Sequence, residues 1–188
     1  LRMLMPVFTP AVIEASLDSV LVRLSPEGKV AHEEDLGDQA ALDRAVELLE
    51  GRAISKGPLD TPVYDYKMVD SDFILPIALA EYVRDARVGV ERARTFLAQG
   101  ERAARVRVNA ESVLSQATAY AEKPEPTRMV ALVKGSDVGD WRDSLDGLAR
   151  GRFAYSLNAV LIPQALGAIE ELMAAGLLGA DADLAKHP

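Results

Sequence analysis

The sequence predicts an all-α fold of about seven helices, a layered α/α toroid or, as the alternative, an irregular bundle or helical repeat array, on three observations. Alanine and leucine are plentiful while aromatic residues are only 5%. Ala and Leu lose little conformational freedom in a helix, whereas strands favour β-branched and aromatic side chains. Apolar residues recur at helical spacing between breaks rich in Pro and Gly. Finally, segments that are apolar all round alternate with segments that carry a broad polar face, which pairs buried inner helices with outer amphipathic ones.

Element by element, a first helix is expected over about 10–24. Thr9 can cap it, Pro10 suits its first position, and Val12, Ile13, Leu17, Val20 and Leu21 form its apolar stripe. Ser25 to Gly28 ends it with turn chemistry. A second helix is expected over about 34–49, closed by Gly51. A loop follows over 57–68, broken by Pro58 and Pro62 and carrying Tyr64, Asp65 and Tyr66. Helices are then expected over about 72–84, 88–98 and 102–121. The segment 128–134 reads as a short strand or a helical turn, and 135–152 as a loop holding four glycines. A sixth helix is expected over about 158–175, and a weak seventh closes the chain.

Two of these helices share a pattern. One reads Ser71-Asp-Phe-Ile-Leu-Pro-Ile-Ala-Leu-Ala80 and the other Asn158-Ala-Val-Leu-Ile-Pro-Gln-Ala-Leu-Gly167. Each opens on a capping residue, has an apolar first turn, and places Pro76 or Pro163 one turn inside, where it costs a backbone bond or a kink. Both are expected to be buried nearly all round. The helices over 88–98 and 102–121 are expected outside. No fixed-period repeat is present, which argues against a simple solenoid.

The 188 residues suffice for one domain, 1–188, with a hydrophobic core. A net charge of −8 and a pI near 4.8 repel polyanions, so nucleic acid and acidic membranes are not expected partners. With no cysteine, disulfides, thiolate nucleophiles and Cys-based zinc sites are excluded. No apolar run reaches the roughly 20 residues of a membrane span. The apolar start, Leu1 to Pro6, is too short for a signal peptide, and the compartment stays open, cytoplasmic or exported. The chain begins without an initiator Met, which leads us to expect a processed chain, an excised segment or an isolated domain. Phosphate-binding glycine loops, the dinucleotide fingerprint and the G-x-S-x-G elbow are all missing, so no cofactor and no metal site is expected.

Three segments can carry chemistry. The first is Gly139-Asp-Trp-Arg-Asp-Ser144. Trp141 offers the flat apolar face on which sugars stack, Asp143 becomes a proton donor if burial raises its pKa, and Arg142 can hold a carboxylate or hydroxyl. The same residues also suit a structural loop with Trp141 plugging the core. The second is His32-Glu33-Glu34-Asp35, able to bind metal or run acid–base chemistry, but equally able to complement a helix dipole. The third is Asp70-Ser71-Asp72, where paired acids also suit the capping of a following helix.

Taken with Ser156-Leu-Asn-Ala-Val-Leu-Ile-Pro-Gln-Ala-Leu166, the Gly139 to Ser144 loop resembles the (α/α)6-barrel, six-hairpin glycosidases, closest to the glycogen-debranching, amylo-α-1,6-glucosidase type. These carry a Trp-x-Asp loop followed by Asn-Ala at the start of an inner helix. Tyr66-Lys-Met-Val-Asp-Ser-Asp-Phe73 is similar to their earlier inner-helix start, where an Asp touches sugar. The resemblance implies a glycoside hydrolase of carbohydrate metabolism acting on an oligosaccharide or α-glucan. Asp143 would be the general acid, Trp141 a sugar platform, and Asp70, Asp72 and Asn158 hydroxyl ligands. Arg142, His32, Glu33 and Glu34 would be further pocket elements. An inverting mechanism needs a second carboxylate as base, roughly 6.5–9.5 Å away. Glu33, Glu34 and Asp35 are the in-chain candidates, the family's own base coming from a later segment. The Arg after Trp141, where the family has a hydrophobe, leaves substrate preference open. A full six-hairpin barrel also needs more than the about seven helices read above. The expected partners are therefore a carbohydrate and either a second copy or a complementing fragment that covers an apolar seam. A non-catalytic helical module, sugar-binding or for protein association, predicts the same helices without a cleft at Asp143.

Overall fold

The structure is a computed structural model that describes residues 4–51, 61–136, 138–140, 148 and 151–179, and the backbone of 143–144. It is predominantly α-helical, as expected, with six α-helices and two small antiparallel sheets among the described residues. The closing seventh helix falls outside the described residues, as does part of the 57–68 loop.

Helix α1 spans Pro10–Leu21; the Thr9 hydroxyl accepts from the Val12 amide and Pro10 occupies the first turn. Ile13, Leu17 and Leu21, spaced four apart, are its buried edge. The helix ends three residues before its expected limit, and a turn follows in which the Gly28 amide donates to the Ser25 carbonyl at 3.0 Å. Gly28 sits at φ +82°, where a Cβ would come within 2.5 Å of the Val108 carbonyl oxygen. The turn and the helix that carries Val108 therefore approach as closely as they do only because position 28 has no side chain.

Strand β1 (Glu33–Asp35) pairs antiparallel with β2 (Val63–Asp65), Glu34 opposite Tyr64. This corrects two expectations: Glu34 and Asp35 do not open the second helix, and 63–65 is not a plain loop. Nothing in Glu-Glu-Asp favours a strand; the pairing comes from a segment some thirty positions on, and the His32 amide extends it by donating to the Asp65 carbonyl at 2.8 Å. Helix α2 follows at Gly37–Leu49.

Helix α3 (Val69–Arg84) is the centre of the molecule. Val69, Phe73, Leu75, Pro76, Ile77, Ala78, Leu79, Ala80 and Tyr82 are all buried while Ile74 is 45% exposed, so the expectation of nearly all-round burial holds for it. It begins three residues earlier than expected. Met68, not an acid, occupies the cap position, and Asp70 and Asp72 lie inside the first turn, which overturns their reading as N-caps. Helix α4 (Gly89–Leu97) buries Ala93, Phe96 and Leu97, and α5 (Arg102–Glu122) buries Val106, Asn109, Ala110, Val113 and Ala117. Both turn their remaining faces outward. Tyr82 of α3 and Phe96 of α4 meet edge-on with centroids 5.8 Å apart.

After α5 comes a 3₁₀ turn at Pro126–Arg128, with no strand over 129–134. The expected glycine loop instead contains a hairpin, β3 (Val138–Asp140) with β4 (Asp143–Ser144). The last helix opens as a π turn, Leu157–Leu161, that runs into α6 (Ile162–Ala174). The Ile162 amide closes the π turn on the Leu157 carbonyl, and Pro163, which has no amide to give, follows in the first turn of α6. Helices α3 and α6, the two that share the Pro pattern, form the most extensive helix pair among the described residues. Unlike α3, however, α6 is buried on one side only. Ala165, Ala168, Ile169 and Leu172 are inside while Ala159, Val160 and Pro163 are exposed, which corrects the expectation of all-round burial.

Candidate functional site

The head of α3 holds two acids deep in the protein, Asp70 and Asp72, each only 2% exposed. Pro76 explains much of what surrounds Asp72. In a regular helix the amide of residue 76 would donate to the carbonyl of residue 72, and proline has no amide to give. The Asn109 side-chain amide takes over: its Nδ2 donates to the Asp72 carbonyl at 3.2 Å and to the Gly28 carbonyl at 2.8 Å. One buried amide thus ties α5 to α3 and to the Gly28 turn. The Asp72 carboxylate is held as firmly, since Oδ1 accepts from the Val30 amide at 2.8 Å and Oδ2 from Gln116 Nε2 at 3.3 Å. Burial pushes its pKa up to about 6, against the pull of Val30, Gln116 and Lys29 and with a small push from Asp70. It therefore exchanges its proton near neutral pH, within a nearly sealed cluster.

The β3–β4 hairpin packs on α3. Its Asp140 is 2% exposed and accepts from the Ser156 hydroxyl at 3.3 Å. Ser156 immediately precedes the π turn, so the hairpin is fastened to the head of α6 as well. In the register of the hairpin Asp140 stands opposite Asp143, past a local irregularity. The backbone of Asp143 is thus fixed beside a buried carboxylate at the convergence of α3, α6 and the hairpin. Trp141, Arg142 and the Asp143 side chain lie outside the described residues.

Asn158 sits in the π turn and is committed to the backbone. Its Nδ2 donates to the carbonyls of Val130 (2.9 Å) and Ala154 (3.1 Å), and its Oδ1 accepts from the Val130 amide at 3.0 Å. Both amide hydrogens are used, and the side chain behaves as a strand partner for Val130. Beside it lies an apolar cleft of about 350 Å³ walled by Tyr120, Met129, Phe153, Tyr155 and Ile162. Tyr155 is 79% exposed at its edge.

The second expected group, His32 to Asp35, is elsewhere. Glu34 pairs with Arg23 Nε at 2.8 Å, and His32 and Glu33 are exposed with 3.8 Å between Nε2 and Oε1. Lys67 bridges Asp65 at 2.5 Å and Glu33 at 3.9 Å. The substantial packing of β1 and β2 is with each other and with α2, apart from the hairpin and the heads of α3 and α6. Burial and then the neighbouring Asp43 raise the Asp35 carboxyl above its usual range.

Sequence reasoning missed Asn109, Gln116 and Asp140. The first two had a readable signal. They fall in phase with Val106, Ala110, Val113 and Ala117, so they are polar residues on an apolar stripe, and buried polar groups require partners. Asp140 had none, because its burial depends on the hairpin docking against α3. Among the described residues no group of three or more His, Asp or Glu is placed to hold a metal, and no helix is long and apolar enough to cross a membrane. No protein-family model, curated protein or solved structure matches the chain.

Proposed function

We propose that this chain is part of a glycoside hydrolase of the six-hairpin type, with Asp143 as the general acid that protonates the leaving glycosidic oxygen and Trp141 as its sugar platform. The observation that carries the reading is the convergence described above. The loop motif that resembles the family's acid loop is anchored by Asp140 to Ser156, at the start of the helix bearing the family-like Asn158-Ala159, and its hairpin packs on the helix bearing Asp70 and Asp72. Those are the three segments on which the resemblance rests, and they are distant in sequence. On this reading α3 and α6 are inner helices of an (α/α)6 toroid, α4 and α5 outer ones, and the exposed apolar head of α6 receives a complementing fragment or a second copy. The bonding of Asp72 and Asn158 favours a positioning role for both, which leaves hydroxyl contacts to Trp141, Arg142 and the exposed tyrosines.

The test uses the single tryptophan. Titration with malto- and manno-oligosaccharides should change Trp141 fluorescence, and Asp143→Asn should still bind but release no reducing sugar where the parent does. Silence of the indole across the panel would end the sugar reading in both its catalytic and its non-catalytic form.

A further inference from the structure

Helix α2 sits the wrong way round for an ordinary amphipathic helix. Its buried side chains are Ala40 and Arg44, and Arg44 is 1% exposed with its guanidinium donating to the Thr61 carbonyl at 2.9 Å. On the opposite face, Leu42, Val46 and Leu49 follow at i, i+4 and i+7 and point to solvent, with Leu49 88% exposed. Turning the helix over would cover the leucines but carry Arg44 off to the surface and leave the Thr61 carbonyl without its donor. The bond from Arg44 to the Thr61 carbonyl therefore favours the orientation that leaves a continuous apolar stripe of about 10 Å outside.

The charge around this stripe says what fits it. Apart from buried Arg44, every charged residue on α2 and its cap is acidic: Asp38, Asp43, Glu47 and Glu50. The adjoining strand adds Glu33 and Asp35, and Asp35 shares a hydrogen bond with Asp43, acid against acid. Among the described residues, the bases of the same corner, Arg23 and Lys67, are engaged with Glu34 and Asp65. A second copy of this chain would press two such acidic rims together, in a molecule that already carries −8. A helix with apolar residues at i, i+3/i+4 and i+7, flanked by Lys or Arg, would cover the stripe and neutralise its rim. We propose that the outward face of α2 is a docking surface for a basic amphipathic helix of a partner protein. The proposal does not depend on the sugar reading.

The probes are two helical peptides of about 18 residues with the same leucine stripe, one flanked by lysines and one by glutamates. Fluorescence anisotropy should show the lysine peptide binding and the glutamate peptide not. Leu42→Ser with Leu49→Ser should weaken binding at least about tenfold, and Asp43→Asn should weaken it less and reduce its salt dependence. Neutralising a remote exposed acid, Glu91→Gln on α4, should change nothing. All the substituted side chains are exposed or half-buried, and circular dichroism checks that helicity is kept. Equal binding by the parent and the double serine variant would reduce the attraction to net charge and overturn the proposal. So would a parent dimer in sedimentation that the same variant dissolves, because the face would then belong to a second copy.

Discussion

Asp72, Asn109 and Pro76 form one unit, and its parts should respond to mutation together. Asn109→Ala strips the donor from two buried carbonyls, Asp72 and Gly28, and should cost about 2–4 kcal/mol in urea unfolding. In a Pro76→Ala background the helix amide returns to serve the Asp72 carbonyl, so the same substitution should cost at least about 1 kcal/mol less. Additive losses would separate the amide from the proline. At Gly28, alanine would need both a left-handed φ and space that the Val108 carbonyl fills. Gly28→Ala should cost roughly 2 kcal/mol or more, read from the same curves.

The ionisation of Asp72 gives a second residue-scale result. Its pKa is about 6 in the folded protein against an ordinary 3.8. Between those values the native state holds a proton that the unfolded chain has released. Stability therefore falls as pH rises from about 4 to about 6, by on the order of 3 kcal/mol for this group, and the penalty persists above that. Asp72→Asn should remove that slope, measured as the difference between parent and variant unfolding curves at pH 4 and pH 7.

At the scale of elements, the π turn and its asparagine carry the join between α5 and α6. Asn158→Ala loses three backbone bonds and should destabilise by about 1–3 kcal/mol, with faster hydrogen exchange at the Val130 amide. Exchange at Val130 unchanged from the parent would deny Asn158 its role as a strand partner. The repeated Pro pattern was readable as two related helices, but that α3 and α6 pack against each other is a finding of the structure. Their unequal burial was not readable, because the same apolar turn is covered in α3 by α4, α5, α6 and the hairpin, and in α6 chiefly on the side facing α3. Nor did β1 show itself in Glu-Glu-Asp, since three residues become a strand only through a partner.

For the whole molecule the pH terms have opposite signs. Glu14 and Asp18 are lowered first by hydrogen bonds from Arg92 and Arg102, and Asp85 is lowered to about 2 by Arg87. Their contribution is present above about pH 4 and is lost as pH falls toward 2. Asp72, and more weakly Asp35, act the other way above pH 4. Thermal midpoints should accordingly peak near about pH 4–5 rather than at neutrality. A maximum at pH 7 or above would show that Asp72 is less buried than described. The pairs Arg92–Glu14 and Arg102–Asp18 lie at the surface, so about 1 M salt should move the midpoint little.

By itself the sequence determined the helical class, the limits of most helices to within a few residues, and the three segments that could carry a site. These follow from apolar period, caps and breakers, which are local and survive without the rest of the chain. Tertiary structure decided which polar residues are sealed in, as with Asn109 and Asp140, and that Asp72 and Asn158 are bonded to backbone rather than left open. It also decided that α2 turns its leucines outward. Each of these depends on what a distant segment brings within a few ångströms, a carbonyl freed by Pro76 or offered by Thr61, and hydrogen bonds of that kind leave no periodic mark on the sequence.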